Sequence, residues 1–150
     1  MIDHPAAPLF PLEDAWVYKV TVLSNLIATK VSHIVQDVAG LNLSQWRVIA
    51  AIADQPGRTA SEVVDVTPMD KGIVSRAVTT LVEKKLVDRR ASVSDGRLSH
   101  LFLTKGGAVL HRKTLHRLDE AGASGRGGIT IEREAEFLRM LDEAIAAYRR

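Results

Sequence analysis

The chain contains no cysteine. That excludes a disulfide framework, a thiolate metal site and a cysteine redox switch. Long apolar runs are missing too: none approaches the roughly eighteen residues that a membrane-spanning helix needs. The N-terminus carries no positively charged leader ahead of an apolar core, so secretion is not expected and residence in the cytoplasm is. Neither charge sign dominates, with Lys+Arg 20 against Asp+Glu 18 and a net charge of +2, although the pI near 9.1 leans basic. Such a balance does not by itself make a nucleic-acid binder; the placement of the charges has to. Catalytic signatures are also absent. There is no nucleophile elbow, and Gly125-Arg126-Gly127-Gly128 lacks the preceding strand and the following Lys-Ser/Thr of a phosphate loop. His111 and His116 stand five apart, one too many to share a helical face as a metal pair. Neither an enzyme nor a resident cofactor or metal is expected.

At 150 residues the chain suits one unit with a substantial core. Pro5, Pro8 and Pro11 predict an extended N-terminal arm, whose Leu9, Phe10 and Leu12 are apolar enough to pack on something, a second subunit included. A long helix is predicted from Glu13 to Ala39, with Val17, Val20, Ser24, Ile27, Val31, Ile34 and Val38 on one stripe and Gly40 as its C-terminal cap. Trp16, Leu23, Leu26 and Val35 widen that stripe beyond a single contact, which suggests burial on two sides and a helix that serves a dimer.

A second helix starts at Ser44 and stops at Gln55-Pro56-Gly57. A third begins with Thr59-Ala60-Ser61-Glu62, which has capping-box spacing, and ends near Val66. A fourth is expected to start with Thr67 as N-cap, Pro68 at the first helical position and Asp70 in the first turn. Its apolar face holds Ile73, Val74, Ala77, Val78, Leu81 and Val82; Lys71, Ser75, Arg76, Thr79 and Thr80 lie opposite. Two helices joined so tightly form a helix-turn-helix whose second member exposes its polar side. Beyond Leu86 the period becomes strand-like, with a turn at Ser94-Asp95-Gly96 between two short strands. Thr104-Lys105-Gly106-Gly107 opens a further helix, residues 122–128 read as a glycine-rich linker, and Thr130 is placed to cap a last helix with Ala135, Leu138, Leu141, Ile145 and Tyr148 on one face. No internal repeat occurs.

This order and spacing resemble the multiple antibiotic resistance regulator (MarR) family of winged-helix transcription factors. The resemblance rests on Leu43-Ser44-Gln45-Trp46-Arg47-Val48-Ile49 at the second helix, Met69-Asp70-Lys71-Gly72-Ile73-Val74-Ser75-Arg76 at the recognition helix, Asp95-Gly96-Arg97 at the wing, and Leu103-Thr104-Lys105-Gly106-Gly107 after it. It covers roughly Val17 to Tyr148. It implies a mainly α fold with a small β-hairpin wing: a winged helix-turn-helix at 41–104, flanked by an N-terminal arm and dimerisation helix at 1–40 and C-terminal dimerisation helices at 105–150, all in one compact unit. Two departures stand out. Lys85 occupies a position where the family usually has glycine, so it must turn left-handed or let the helix run on. Gly96 replaces a second basic residue in the wing.

For the chemistry, Lys71, Ser75, Arg76 and Thr79 lie where they can meet base edges or flanking phosphates, and Arg76 is the strongest base reader because a guanidinium bonds two guanine acceptors at once. A solvated pairing of Arg76 with Asp70 or Glu83 is the alternative. Arg97 at the turn tip would reach a minor groove, with Asp95 either orienting it or simply capping the turn. Arg47, Lys84, Arg89 and Arg90 look like phosphate contacts. Two-fold pairing would set two readers about 34 Å apart on double-stranded DNA, on a pseudo-palindromic operator. Repression and a small aromatic or anionic effector are what the resemblance implies, with His33, Trp46, Arg47 and His111 as candidate liners of the effector pocket. Two readings from other classes remain: a winged-helix protein-interaction module, and a small-molecule carrier without specific DNA binding.

Overall fold

The computed structural model describes residues 11–93, 95, 98–125 and 130–149. The N-terminal arm ahead of Pro11, the turn residues Ser94, Gly96 and Arg97, and Arg126, Gly127 and Gly128 of the linker lie outside the described residues. The elements are α1 (Trp16–Ala39), α2 (Leu43–Asp54), α3 (Ala60–Val66), α4 (Lys71–Glu83), β1 (Val87–Ala91), β2 (Ser99–Leu103), α5 (Lys105–Glu120) and α6 (Ile131–Tyr148), with a short 3-10 turn at Leu12–Asp14 before α1. The chain is thus mainly helical, with one antiparallel hairpin in which Arg89 faces Leu101 and Arg90 faces His100. No helix among the described residues is long and apolar enough to cross a membrane.

The first helix begins later than predicted. The backbone N–H groups of Asp14 and Ala15 close the 3-10 turn onto Pro11 and Leu12, and Ala15 is extended, so α1 proper starts at Trp16. Gly40 does end it in the left-handed conformation (φ 60°). The second helix starts one residue earlier than predicted because Asn42, not Ser44, marks its beginning: the Asn42 side chain accepts from the Gln45 N–H while the Gln45 side chain accepts from the Asn42 N–H, a reciprocal capping box.

The core gathers around α2 and α4. Val35, Val48, Ile49, Ile52, Val63, Val74, Val78, Leu81, Val87 and Leu101 are all fully buried, and burying each large aliphatic side chain contributes roughly 1.5–3 kcal/mol. On α4 the buried residues Val74, Ala77, Val78 and Leu81 follow helical spacing. The helix then closes with both hydrogen bonds of a Schellman motif, Lys85 N–H to Val82 O and Leu86 N–H to Leu81 O, each 2.9 Å. Lys85 therefore takes the left-handed option, with φ 57°.

The next joint is built on a close approach. A Cβ on Gly107 would sit 2.1 Å from the Leu86 carbonyl oxygen, so only glycine lets α5 start here. Thr104 caps α5 by accepting from Gly107 N–H, and its hydroxyl donates to the Lys85 carbonyl at 2.8 Å. One threonine therefore pins the end of α4 to the start of α5. At the far end, Gly122 does not merely loosen the chain: at φ 62° it closes α5, with Ala123 N–H reaching back to Leu118 O.

The last helix departs from expectation in two respects. Thr130 occupies the N-cap position without a side-chain hydrogen bond. The side of α6 turned toward α1 carries Phe137, Leu141 and Ala144 rather than Ala135 and Leu138, both of which are exposed. Trp16 and Tyr148 meet edge to face at 6.2 Å and hold the two helices together at one end.

Candidate nucleic-acid interface

The candidate interface is assembled from short elements with strong local signals. α3 opens with the reciprocal cap anticipated from its spacing: the Glu62 carboxylate accepts from Thr59 N–H (2.7 Å) and from the Thr59 hydroxyl (2.9 Å). These two hydrogen bonds hold the Glu62 carboxyl below its ordinary pKa. The connection to α4 differs from the expected one. Thr67 is not the N-cap of α4; its hydroxyl donates back to Val63 O at 2.7 Å and ends α3. Asp70 is the cap, accepting from Ile73 N–H at 2.8 Å, and Met69 is buried behind it. A carboxylate at the positive end of a helix dipole is a stronger cap than a hydroxyl there.

Capping by Asp70 puts Lys71, Gly72, Ser75, Arg76 and Thr79 on the exposed side of α4. Arg76 forms no ion pair with Asp70 or Glu83 among the described residues, so its guanidinium remains available. The Thr79 hydroxyl donates to Ser75 O (3.0 Å), which commits its proton to the helix and leaves its oxygen outward as an acceptor. Beside Arg76 runs a polar groove of about 350 Å³ whose other wall is the start of α2, Asn42, Ser44 and Gln45. None of the three was expected at the site from the sequence, where Ser44 and Gln45 entered only as the start of the second helix; the Asn42-x-x-Gln45 capping spacing was the signal that could have drawn attention to them.

The hairpin is anchored at its root. The Arg90 guanidinium lies 4.5 Å from the centre of the Phe102 ring, and the His100 Nδ1 lies 2.7 Å from Gly57 O. Arg89, adjacent in a strand, points to the other face, so the two arginines cannot share one partner. Arg58, unremarked in the sequence, is mostly buried: it bridges the Asp54 carboxylate at 2.9 Å and donates to Ala51 O, fastening the turn after α2. At the tip, Asp95 and Ser92 tie the loop through Asp95 N–H to Ser92 Oγ and Leu98 N–H to Asp95 O. Arg97 itself lies outside the described residues.

The candidate effector residues do not all converge. Trp46 and Arg47 line a cleft of about 410 Å³ between α1, α2 and α6, with Val20, Leu23, Ile27 and Phe137 among its apolar walls. Among the described residues, Arg47 is the one charged side chain lining it. Arg47 therefore faces this cleft and not the groove beside Arg76. His33 is exposed on α1 and lies outside the cleft, because its position falls on the side of the helix away from Ile27 and Val31. His111 lies behind Trp46, stacked on the indole at 5.4 Å and 20°. Burial, and secondarily the charge of Arg112, holds its pKa below the ordinary histidine value, so the ring is neutral near pH 7.

Residues 39–98 match the sequence model of the MarR family. The HTH-type transcriptional regulator PetP of Rhodobacter capsulatus is 37% identical over 67 residues, a stretch covering 45% of this chain and 40% of that relative's length. Among solved structures, the PcaV transcriptional regulator of Streptomyces coelicolor, in complex with its natural ligand, superposes with a TM-score of 0.75 at 19% identity, covering 95% of this chain and 99% of its own. A point mutant of S. aureus MepR, bound to an oligodeoxyribonucleotide, gives a TM-score of 0.58 at 18% identity, over 89% and 98% of the two chains. At these identities the two structures establish the shared fold.

Proposed function

We propose, from the match of residues 39–98 to the sequence model of the MarR family, that this chain is a transcriptional repressor that binds a pseudo-palindromic operator as a homodimer and responds to a small ligand. The observation that carries the reading is the α4 surface: an Asp70-capped helix presenting Lys71, Ser75, Arg76 and Thr79 outward, with a guanidinium at its centre that pairs with no carboxylate among the described residues. A protein-binding groove would call for apolar anchors in that row, whereas base edges call for hydrogen-bonding groups. Lys71, Arg89 and Lys84 add exposed positive charge for phosphates around it. Pairing is supported by the apolar residues left uncovered on α1 and α6, with Leu26 63% and Met140 61% exposed.

The ligand reading rests on the α1–α2–α6 cleft. Apolar walls, one indole and one guanidinium suit a small aromatic or otherwise apolar anion, with its charge on Arg47. Such a ligand regulates by favouring one spacing of the paired α4 helices over another.

Selecting the genomic fragments that the protein binds, then titrating them at fixed salt, tests the assignment. Arg76→Ala and Arg97→Ala are expected to weaken binding by about tenfold or more each, with the fold intact. If both variants bind like the parent, or if binding has no steep salt dependence, the DNA reading fails and an interaction module or carrier takes its place.

A further inference from the structure

Gly72 leaves a gap in the exposed row of α4, one turn before Arg76. Nothing in the backbone requires a glycine at that position. Its φ is not positive, and no main chain outside its own helix comes within 4 Å of where a Cβ would stand. Glycine costs an exposed helical position more than any residue except proline. What a Cβ would meet is two side chains, Asp70 Oδ1 at 3.2 Å and Arg76 Nη1 at 3.4 Å.

These two neighbours do not yield equally. Asp70 Oδ1 accepts from the Ile73 N–H at 2.8 Å, and moving it would give up the cap of α4. Arg76 Nη1 is the far end of an exposed side chain that pairs with no carboxylate among the described residues. A methyl at position 72 therefore displaces the guanidinium and leaves the cap in place. With glycine there, the Arg76 side chain runs back toward the start of the helix and its guanidinium lies over the first turn, beside Gly72. A recognition helix meets base edges through its N-terminal residues, so this is the part of α4 from which a guanidinium reads a base.

We propose that Gly72 is a specificity-determining position: its missing side chain holds open the space in which the Arg76 guanidinium lies over the first turn of α4 and reads a base. The inference rests on the DNA reading above and adds to it a positioning residue that acts through Arg76. A guanidinium pushed off the first turn swings away from the helix axis toward the flanking backbone, where it adds affinity without sequence information. Position 72 thus decides between two uses of one arginine.

Selection of binding sites from a pool of randomised duplexes at fixed salt, with the full chain and its Gly72→Ala variant side by side, tests it. The parent is expected to enrich guanine at one position of each half-site, and Gly72→Ala to weaken that preference by about tenfold. Affinity for the unselected pool and its dependence on salt should stay as in the parent. Added to Arg76→Ala, the same substitution should change nothing further. The melting temperature of Gly72→Ala should be unchanged or raised, which a loss of folding cannot mimic; a lowered one would show the Asp70 cap yielding in place of Arg76 and would overturn the proposal. A parent preference that survives Gly72→Ala intact defeats this assignment alone, whereas a parent with no preference defeats the DNA reading and this assignment together. In the free chain, NMR contacts between the Arg76 side chain and the Gly72 α protons are expected, and their absence overturns the proposal whatever the chain binds.

Discussion

The two ends of this molecule treat their apolar residues in opposite ways. Between α2 and β2 most large aliphatic side chains are consumed within the chain: Ile49, Ile52, Val63, Leu81 and Leu101 are fully buried, and Val66, Val93 and Leu98 are the large aliphatic residues left exposed there among the described residues. Along α1 and α6 apolar residues are also frequent, yet Trp16, Leu23, Leu26, Ile27, Leu138, Met140 and Tyr148 stay in contact with solvent. Apolar residues are frequent in both regions, and tertiary structure separates a satisfied core from a surface left uncovered. The candidate reading surface and the uncovered apolar faces occupy different parts of the chain, joined by α5, which packs on α1 at one side and meets β2 at the other.

A pair of truncations tests that contrast most strongly. Ile49→Ala empties a fully buried site and should lower the unfolding free energy by about 2–5 kcal/mol at any protein concentration. Leu26→Ala, at a site that is 63% exposed, should change the unfolding of a single chain by no more than about 0.5 kcal/mol while weakening self-association. Urea unfolding at several protein concentrations distinguishes the two effects, because a folded dimer makes the midpoint concentration-dependent. Equal losses for both variants at the lowest concentration would abolish the distinction between core and pairing face.

The same contrast explains what the sequence made legible. Helix periods, the Thr59/Glu62 cap, the Gly40 terminus and the hairpin were readable because each depends on residues within a few positions of one another. The start of α4 was misread for a local reason: Thr67 and Asp70 are both good caps three residues apart, and Pro68 favours the earlier one by its fixed φ. Met69 settles the competition by being buried against the core, which leaves the Asp70 carboxylate beside the Ile73 amide and sends the Thr67 hydroxyl back to Val63. The direction of Arg47 was beyond local reasoning, since it depends on where α6 comes to lie after more than eighty intervening residues, a separation read from positions 47 and 137. The commitment of Arg90 to Phe102 likewise required the strand register. Lys85 was a forced choice between two conformations, and Thr104 hydrogen bonding to its carbonyl shows what holds the left-handed one.

Gly107 tests how firmly the candidate reading region is joined to α5. Gly107→Ala places a methyl against the Leu86 carbonyl and requires the α4 end and the α5 start to separate, at an expected cost of about 1–3 kcal/mol. Gly106, one position earlier, has only ordinary contact space around it, with Thr104 Oγ1 at 3.6 Å, so Gly106→Ala is the matched control and should be neutral or slightly stabilising. Thermal unfolding of the two variants side by side reads the difference. Equal melting temperatures would mean that α5 slides freely on Leu86 and that the joint transmits nothing between the two regions.

The smallest expected effect lies inside α5, at the boundary between the two regions. Thr114 is fully buried next to the 40%-exposed Leu115, and its hydroxyl has no hydrogen-bond partner among the described residues. An unpaired buried hydroxyl costs free energy without adding packing, so the isosteric Thr114→Val should stabilise the chain by about 1 kcal/mol. Helix propensity does not obscure the result, because valine and threonine rank closely. Thr114→Ser provides the complementary measurement: it keeps the hydroxyl, removes the methyl and should destabilise. Denaturant midpoints at unchanged slope report both. If valine instead destabilises as much as serine, the Thr114 hydroxyl is bonded in solution, and the inner side of α5 is held to its neighbours by polar contact as well as by packing.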